Sequence, residues 1–171
     1  MQSFHNKVYL LRFDLHLPDT DTPISDSEGK ALISAFFKSV KDKLNTKKEG
    51  ALSRVAYQWV FEVERLKAGH YHCWLAVDGA KRQKTGSTKY KTGLIGLLIR
   101  EWQRVSSGTV RLAGENQEHQ GYQLKRGDET TKESCIYHIS YMAKVRGKGY
   151  GGKRKGSSNY GTSKLKAKVI H

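Results

Sequence analysis

Between Val8 and Leu17 apolar and polar residues alternate. Tyr9, Leu11, Phe13, Leu15 and Leu17 share one side, and Arg12, Asp14 and His16 share the other. Successive side chains of a strand point to opposite faces, so this stretch predicts a half-buried first strand, ended by Pro18. Ser25-Asp26-Ser27-Glu28 has the spacing of a capping box, and Leu32, Phe36, Val40 and Leu44 then recur at near-helical intervals, which predicts a helix to Asn45. A second strand over Arg54–Leu66 sets Tyr57, Trp59, Phe61 and Val63 on one face and Gln58, Val60, Glu62 and Glu64 on the other. The short connection Lys67-Ala68-Gly69 returns the chain as a hairpin into a strand over His70–Asp78. A second helix is predicted over 93–105, with Leu94, Leu97, Leu98 and Trp102 inward and Ser106-Ser107-Gly108 as its breaker. Short strands follow at 109–113 and 121–125, and a last helix over 130–145.

The order β-α-β-β-α-β-α predicts an α+β fold with a ferredoxin-like antiparallel sheet. Its helices pack on one face and leave the other face open. With 171 residues, 37% hydrophobic and 27% charged, and no internal repeat, the chain suits one domain with a core of its own. After Arg146 the sequence becomes Gly-rich, basic and dotted with tyrosine. This divides the chain into a folded domain, 1–146, and a basic C-terminal arm, 147–171, of the kind that orders on a nucleic-acid partner.

Charge narrows the partner. Against 16 Asp+Glu stand 31 Lys+Arg, a net +15, which attracts a polyanion. The phosphate-contacting candidates are Arg12, the loop residues Lys81, Arg82, Lys84, Lys89 and Lys91, and the tail residues Arg146, Lys148, Lys153, Arg154 and Lys155. Tyr90, Tyr150 and Tyr160 are candidates for stacking on unpaired bases. Two cysteines without a CxxC pair argue against a disulfide framework or a thiolate zinc site. The N-terminal MQSFHNKVYLLRF shows no signal-peptide pattern, and no apolar run is long enough to span a bilayer, so the expected location is cytoplasmic.

Two constellations carry chemistry. On the third strand His70, His72 and Trp74 share a face, while Tyr71, Cys73, Leu75 and Val77 form the core side. Two imidazoles about 7 Å apart along a strand can grip one divalent metal. The same open face collects Arg12, Asp14 and His16 from the first strand and Glu62 and Glu64 from the second, so a carboxylate is at hand as third ligand to Mg²⁺ or Mn²⁺. On the last helix Tyr137, Tyr141 and Lys144 stand at i, i+4 and i+7, one stripe at 3.6 residues per turn. Ile136, Ile139 and Ala143 form a neighbouring stripe that is expected to be buried. A tyrosine hydroxyl becomes a useful nucleophile when a cation offsets the charge that develops beside it.

Together these residues resemble the HUH endonuclease superfamily of rolling-circle replication initiators. His70-Tyr71-His72 matches the His-hydrophobic-His motif, and Tyr137, Tyr141 and Lys144 match the two-tyrosine helix. Trp59-Val60-Phe61-Glu62, Ser140-Tyr141-Met142-Ala143-Lys144 and Tyr160-Gly161-Thr162-Ser163 look like the inovirus (filamentous phage) replication-protein family. The resemblance implies an HUH (RRM-like) core over 1–146. The implied enzyme nicks and rejoins single-stranded origin DNA sequence-specifically, through a 5′-phosphotyrosine and a free 3′-OH. It further implies His70, His72 and Glu62 as metal ligands, with Glu64 as runner-up, and Tyr141 as main nucleophile. Tyr137 would serve the second cleavage or rejoining, and Lys144 would contact the phosphate. The chain has no Walker GxxxxGK[ST] motif, so a separate helicase and host replication proteins are the expected partners. The competing readings are a non-catalytic nucleic-acid-binding module of the same fold and a related HUH transposase or relaxase.

Overall fold

A computed structural model of the chain describes residues 5–19, 24–49, 51–62, 69–113, 121–145 and 159–164. The elements run β1 (Lys7–His16), α1 (Asp26–Leu44), β2 (Ala56–Glu62), β3 (His70–Asp78), α2 (Gly93–Ser106), β4 (Thr109–Leu112), β5 (Tyr122–Lys125), α3 (Glu129–Val145) and β6 (Tyr160–Thr162). Among the described residues they build an α+β fold around one six-stranded sheet of order β4-β1-β3-β2-β6, with every pairing antiparallel. Strands β4 and β5 share one edge of β1, β4 along Phe13–His16 and β5 along Lys7–Leu10.

Parity decides which side chains are buried and where. The odd residues of β1 meet Tyr71, Cys73, Leu75 and Val77 of β3 beneath α1 and α2, in a core with Ile33, Phe36, Phe37, Val40, Leu44, Leu94, Leu98 and Trp102. Helix α1 opens as its sequence predicts. The Ser25 side chain accepts from the Glu28 amide, and the Glu28 carboxylate accepts from the Ser25 amide. Two hydrogen bonds tie this layer to the histidine-bearing end of the sheet. The Trp102 indole N–H donates to the His16 carbonyl at 2.9 Å, and the Tyr71 hydroxyl donates to the Gly29 carbonyl at 2.9 Å. The middle residue of His70-Tyr71-His72 is therefore an anchor into the core, which holds its two neighbours on the opposite face.

That opposite face departs from the expected arrangement with all helices on one side. Helix α3 lies on it. Cys135, at 2 % exposure, packs with Val8, Leu10, Ala56 and Ala76, and Ile139, Trp74, Tyr122 and Leu124 close around them. The reason is compositional. The second face is polar only from Arg12 onward along β1, while Val8 and Leu10, opposite Asp78 and Ala76, are apolar and need cover. The buried stripe of α3 is Cys135 and Met142, flanked by Ile139, and Ile136, expected to be buried, is exposed.

Part of the segment expected to be a basic arm also joins the sheet. β6 pairs with β2 in the register Val60↔Tyr160, Trp59↔Gly161 and Gln58↔Thr162. Gly161 is required there, because a Cβ would come within 2.6 Å of the Trp59 indole. Arg146, Lys148, Tyr150, Lys153, Arg154 and Lys155 lie outside the described residues, as does Glu64.

Candidate metal centre

Register places the site. Across β1 and β3, Asp14 faces His72 and His16 faces His70. Across β2 and β3, Glu62 faces His70 and Val60 faces His72. Directly opposed residues of an antiparallel pair share a face, so four functional side chains converge from three strands. His72 Nε2 lies 3.1 Å from His70 Nε2 and 2.8 Å from Glu62 Oε2, and His70 Nε2 lies 3.6 Å from the same oxygen. Both histidines are buried, at 9% and 7% exposure. Among the described residues this is a group of His and carboxylate donors able to hold a metal ion.

The donor set fits such an ion. Ligands about 2.1 Å from a cation and cis to one another in an octahedron stand roughly 3.0 Å apart, close to the two separations made by His72 and shorter than the 3.6 Å between His70 and Glu62. Behind His72, Asp14 Oδ1 lies 2.7 Å from Nδ1. In the neutral imidazole that bond fixes the proton on Nδ1 and leaves the Nε2 lone pair facing the His70 and Glu62 donor atoms. Lone pairs and a carboxylate oxygen crowded this closely repel unless a proton or a cation sits among them. His16 stacks on His70, ring centroids 5.3 Å apart and planes 12° apart, and so limits how that ring can turn.

The electrostatics follow the geometry. Burial, then the neighbouring rings of His72 and His16, hold His70 below the ordinary histidine value, so its lone pair is available near neutral pH. For His72 burial pulls downward, but the hydrogen bonds and charges of Asp14 and Glu62 outweigh it and the value is raised. Burial likewise pushes the Asp14 carboxyl up, and the contact with His72 overrides it, so Asp14 is held low and remains ionised. Asp14 stands on the open face by sequence parity, yet its role behind His72 was missed, because strand alternation alone does not say which neighbour a carboxylate meets. Arg111 was missed too. It pairs with Asp14 in register from β4 and is exposed.

The other expected site residues are dispersed. Arg12 lies one step along β1, opposite Trp74, whose indole N–H donates to Gln58. Lys81, Arg82, Lys84, Lys89 and Lys91 follow the far end of β3, about 26 Å from His70 at ~3.3 Å per residue, so the structure does not bring them to the cluster. Thr85 anchors that loop by a hydrogen bond to the Tyr9 hydroxyl, and Lys89 Nζ sits 5.4 Å from the Tyr90 ring centroid. Tyr137 is 78 % exposed on α3, about 200° round the helix from Cys135 at ~100° per residue, on the side turned from the sheet. It is not brought to the cluster. Tyr141 and Lys144 belong to the C-terminal part of α3, and their side chains lie outside the described ones. No helix among the described residues is long and apolar enough to cross a membrane.

Comparison with known proteins yields no match among curated proteins or among solved structures. A family match does span residues 2–163, nearly the whole chain and all of the elements above. The chain belongs to the YagK/YfjJ C-terminal domain family.

Proposed function

We propose that this chain is a metal-dependent enzyme that nicks and rejoins single-stranded DNA at a specific sequence, an HUH-type initiator of rolling-circle replication. The observation that carries the reading is the convergence of Glu62, His70 and His72, backed by Asp14, on a sheet face that also seats the helix bearing Tyr137 and Tyr141. The strand order β4-β1-β3-β2, with α1 and α2 as crossovers, supports a ferredoxin-like, RRM-like core for it.

Glu62, His70 and His72 would hold the ion. Two imidazoles beside one carboxylate suit Mn²⁺ better than Mg²⁺, which prefers oxygen donors alone. A divalent ion held there would supply positive charge that offsets the charge developing on the phosphate. Asp14 keeps His72 in the tautomer that points Nε2 inward, and the Tyr71 anchor keeps both rings in place. The hydroxyl of Tyr141 attacks phosphorus, the P–O3′ bond breaks, and the phenolic proton ends on the released 3′ oxygen. The products are a 5′-phosphotyrosine and a 3′-OH, and the reverse reaction joins ends. Lys144, one turn from Tyr141, offsets charge on the phosphate. Tyr137, presented to solvent, is suited to a second strand-transfer step. Origin DNA, a separate helicase and the host replication machinery are the partners this chemistry requires, in the cytoplasm of a bacterial host.

One observation favours the non-catalytic reading: Tyr137 faces away from the sheet. The test is incubation of the protein with single-stranded oligonucleotides from the element's own origin, with Mn²⁺ or with chelator. The expected result is a denaturant-resistant protein–DNA adduct with Mn²⁺ alone, lost in His70→Ala. DNA binding without any adduct across the origin, unchanged by chelation, selects the binding module instead.

A further inference from the structure

The sheet register lines up five side chains of one face in a row across the strands: Arg111, Asp14, His72, Val60 and Tyr160. His72 is at the centre. Two strand spacings away on one side, about 10 Å at ~4.8 Å per strand, stands the cation Arg111. Two spacings away on the other stands Tyr160. Val60, between Tyr160 and His72, is buried, whereas Tyr160 is 43 % exposed. The short strand that carries this tyrosine is secured at both ends. The Phe61 amide donates to the Asn159 carbonyl at 2.8 Å, the Ser163 amide to the Tyr57 carbonyl at 2.9 Å, and the Tyr57 amide to Ser163 Oγ at 3.0 Å. Gly161 seats the backbone against Trp59. This anchoring orients one exposed aromatic ring toward the metal centre's side of the sheet.

We infer that Tyr160 and Arg111 form the two ends of a single-strand track crossing the sheet over the metal centre, with Tyr160 stacking on an unpaired nucleobase and Arg111 contacting a backbone phosphate. The inference rests on the DNA-processing reading and adds which way the strand lies and what holds it. A ring stacks on any base, because every base has a π-face, but it cannot reach one that is paired inside a duplex. The track therefore selects unpaired DNA without reading its sequence. The basic loop after β3 lies at the other end of the sheet and is not part of it.

The experiment measures binding of an oligothymidylate about 15 nucleotides long and of an abasic backbone of equal length, without metal, to the full chain and its variants. Tyr160→Ala is expected to weaken binding of the oligothymidylate about 5- to 150-fold and to leave abasic binding unchanged, while Tyr160→Phe binds both like the wild type. Arg111→Ala is expected to weaken both probes equally and to lower the salt dependence by about one phosphate contact. Equal losses on both probes in Tyr160→Ala, or no loss on either, overturns the stacking role while DNA binding by the wild type stands. Failure of the wild type to bind either probe overturns the track together with the DNA reading beneath it.

Discussion

Asp14 Oδ1 and His72 Nδ1, on adjacent strands in direct register, lie 2.7 Å apart. This contact leaves the histidine able to serve as a ligand, because in the neutral ring it places the proton at the back and the lone pair at the front. Outer carboxylates of this kind are worth roughly 10–100-fold in metal affinity. Asp14→Ala is therefore expected to weaken Mn²⁺ binding by about that factor, and Asp14→Asn by less, since the amide oxygen still accepts the Nδ1 proton. Titration calorimetry measures the affinity, and the ¹⁵N shifts of His72 report the tautomer. Unchanged affinity and unchanged tautomer in a folded Asp14→Ala protein contradict the role.

The same contact sets the pH response of metal binding. Protons compete with the ion for the imidazoles, so affinity falls as pH drops through their titration. His72 titrates above its ordinary value: burial lowers it, but Asp14 and Glu62 raise it further. Mn²⁺ affinity should thus still be rising with pH at 6.5 and level off only above the raised His72 value. Removing Asp14 takes away a raising interaction, so the plateau should begin at lower pH in Asp14→Ala. A plateau that begins at the same or a higher pH in the variant runs against this assignment.

Tyr71 separates stability from the site. Its hydroxyl lies in the core, where burial pushes its ionisation well above the usual tyrosine value, and it donates to the Gly29 carbonyl. Tyr71→Phe leaves that carbonyl without this donor and should lower unfolding free energy by about 1–3 kcal/mol. Mn²⁺ affinity should change little at a temperature where the fold is intact. Loss of metal binding at unchanged stability shows that the strand is not held in the way described.

Cys135 reports on the seating of α3. Burial pushes its thiol up to about 11, and Cys73, fully buried, is raised as well. Neither thiol should react with iodoacetamide at pH 8 in native buffer on a timescale that alkylates both in denaturant. Rapid labelling of Cys135 alone means that α3 does not rest on Val8, Leu10 and Ala76.

Much of this arrangement is legible in the chain itself. The alternation of Val8–Leu17 and of His70–Asp78 is strong because one face of each strand meets a continuous core. The Ser25–Glu28 cap is local chemistry. The choice of Glu62 agrees with the pairing of Glu62 opposite His70, which follows once the hairpin register is known. What escaped the sequence depended on contacts distant along the chain. Cys135, Ile139 and Met142 form a weak apolar stripe whose partners, Val8 and Leu10, lie more than a hundred positions earlier. β6 is a three-residue strand inside a basic, Gly-rich segment, recognisable only through the fit of Gly161 to Trp59.

In the proposed mechanism a tyrosine of α3 attacks DNA beside the Glu62–His70–His72 cluster. Tandem mass spectrometry of the protease-digested adduct formed with Mn²⁺ identifies the attacking residue, since Tyr137 and Tyr141 lie in one tryptic peptide, 133–144. A nucleotide remnant is expected on Tyr141, absent from Tyr141→Phe and from His72→Ala. An adduct that persists in the protein with both tyrosines changed to phenylalanine contradicts it.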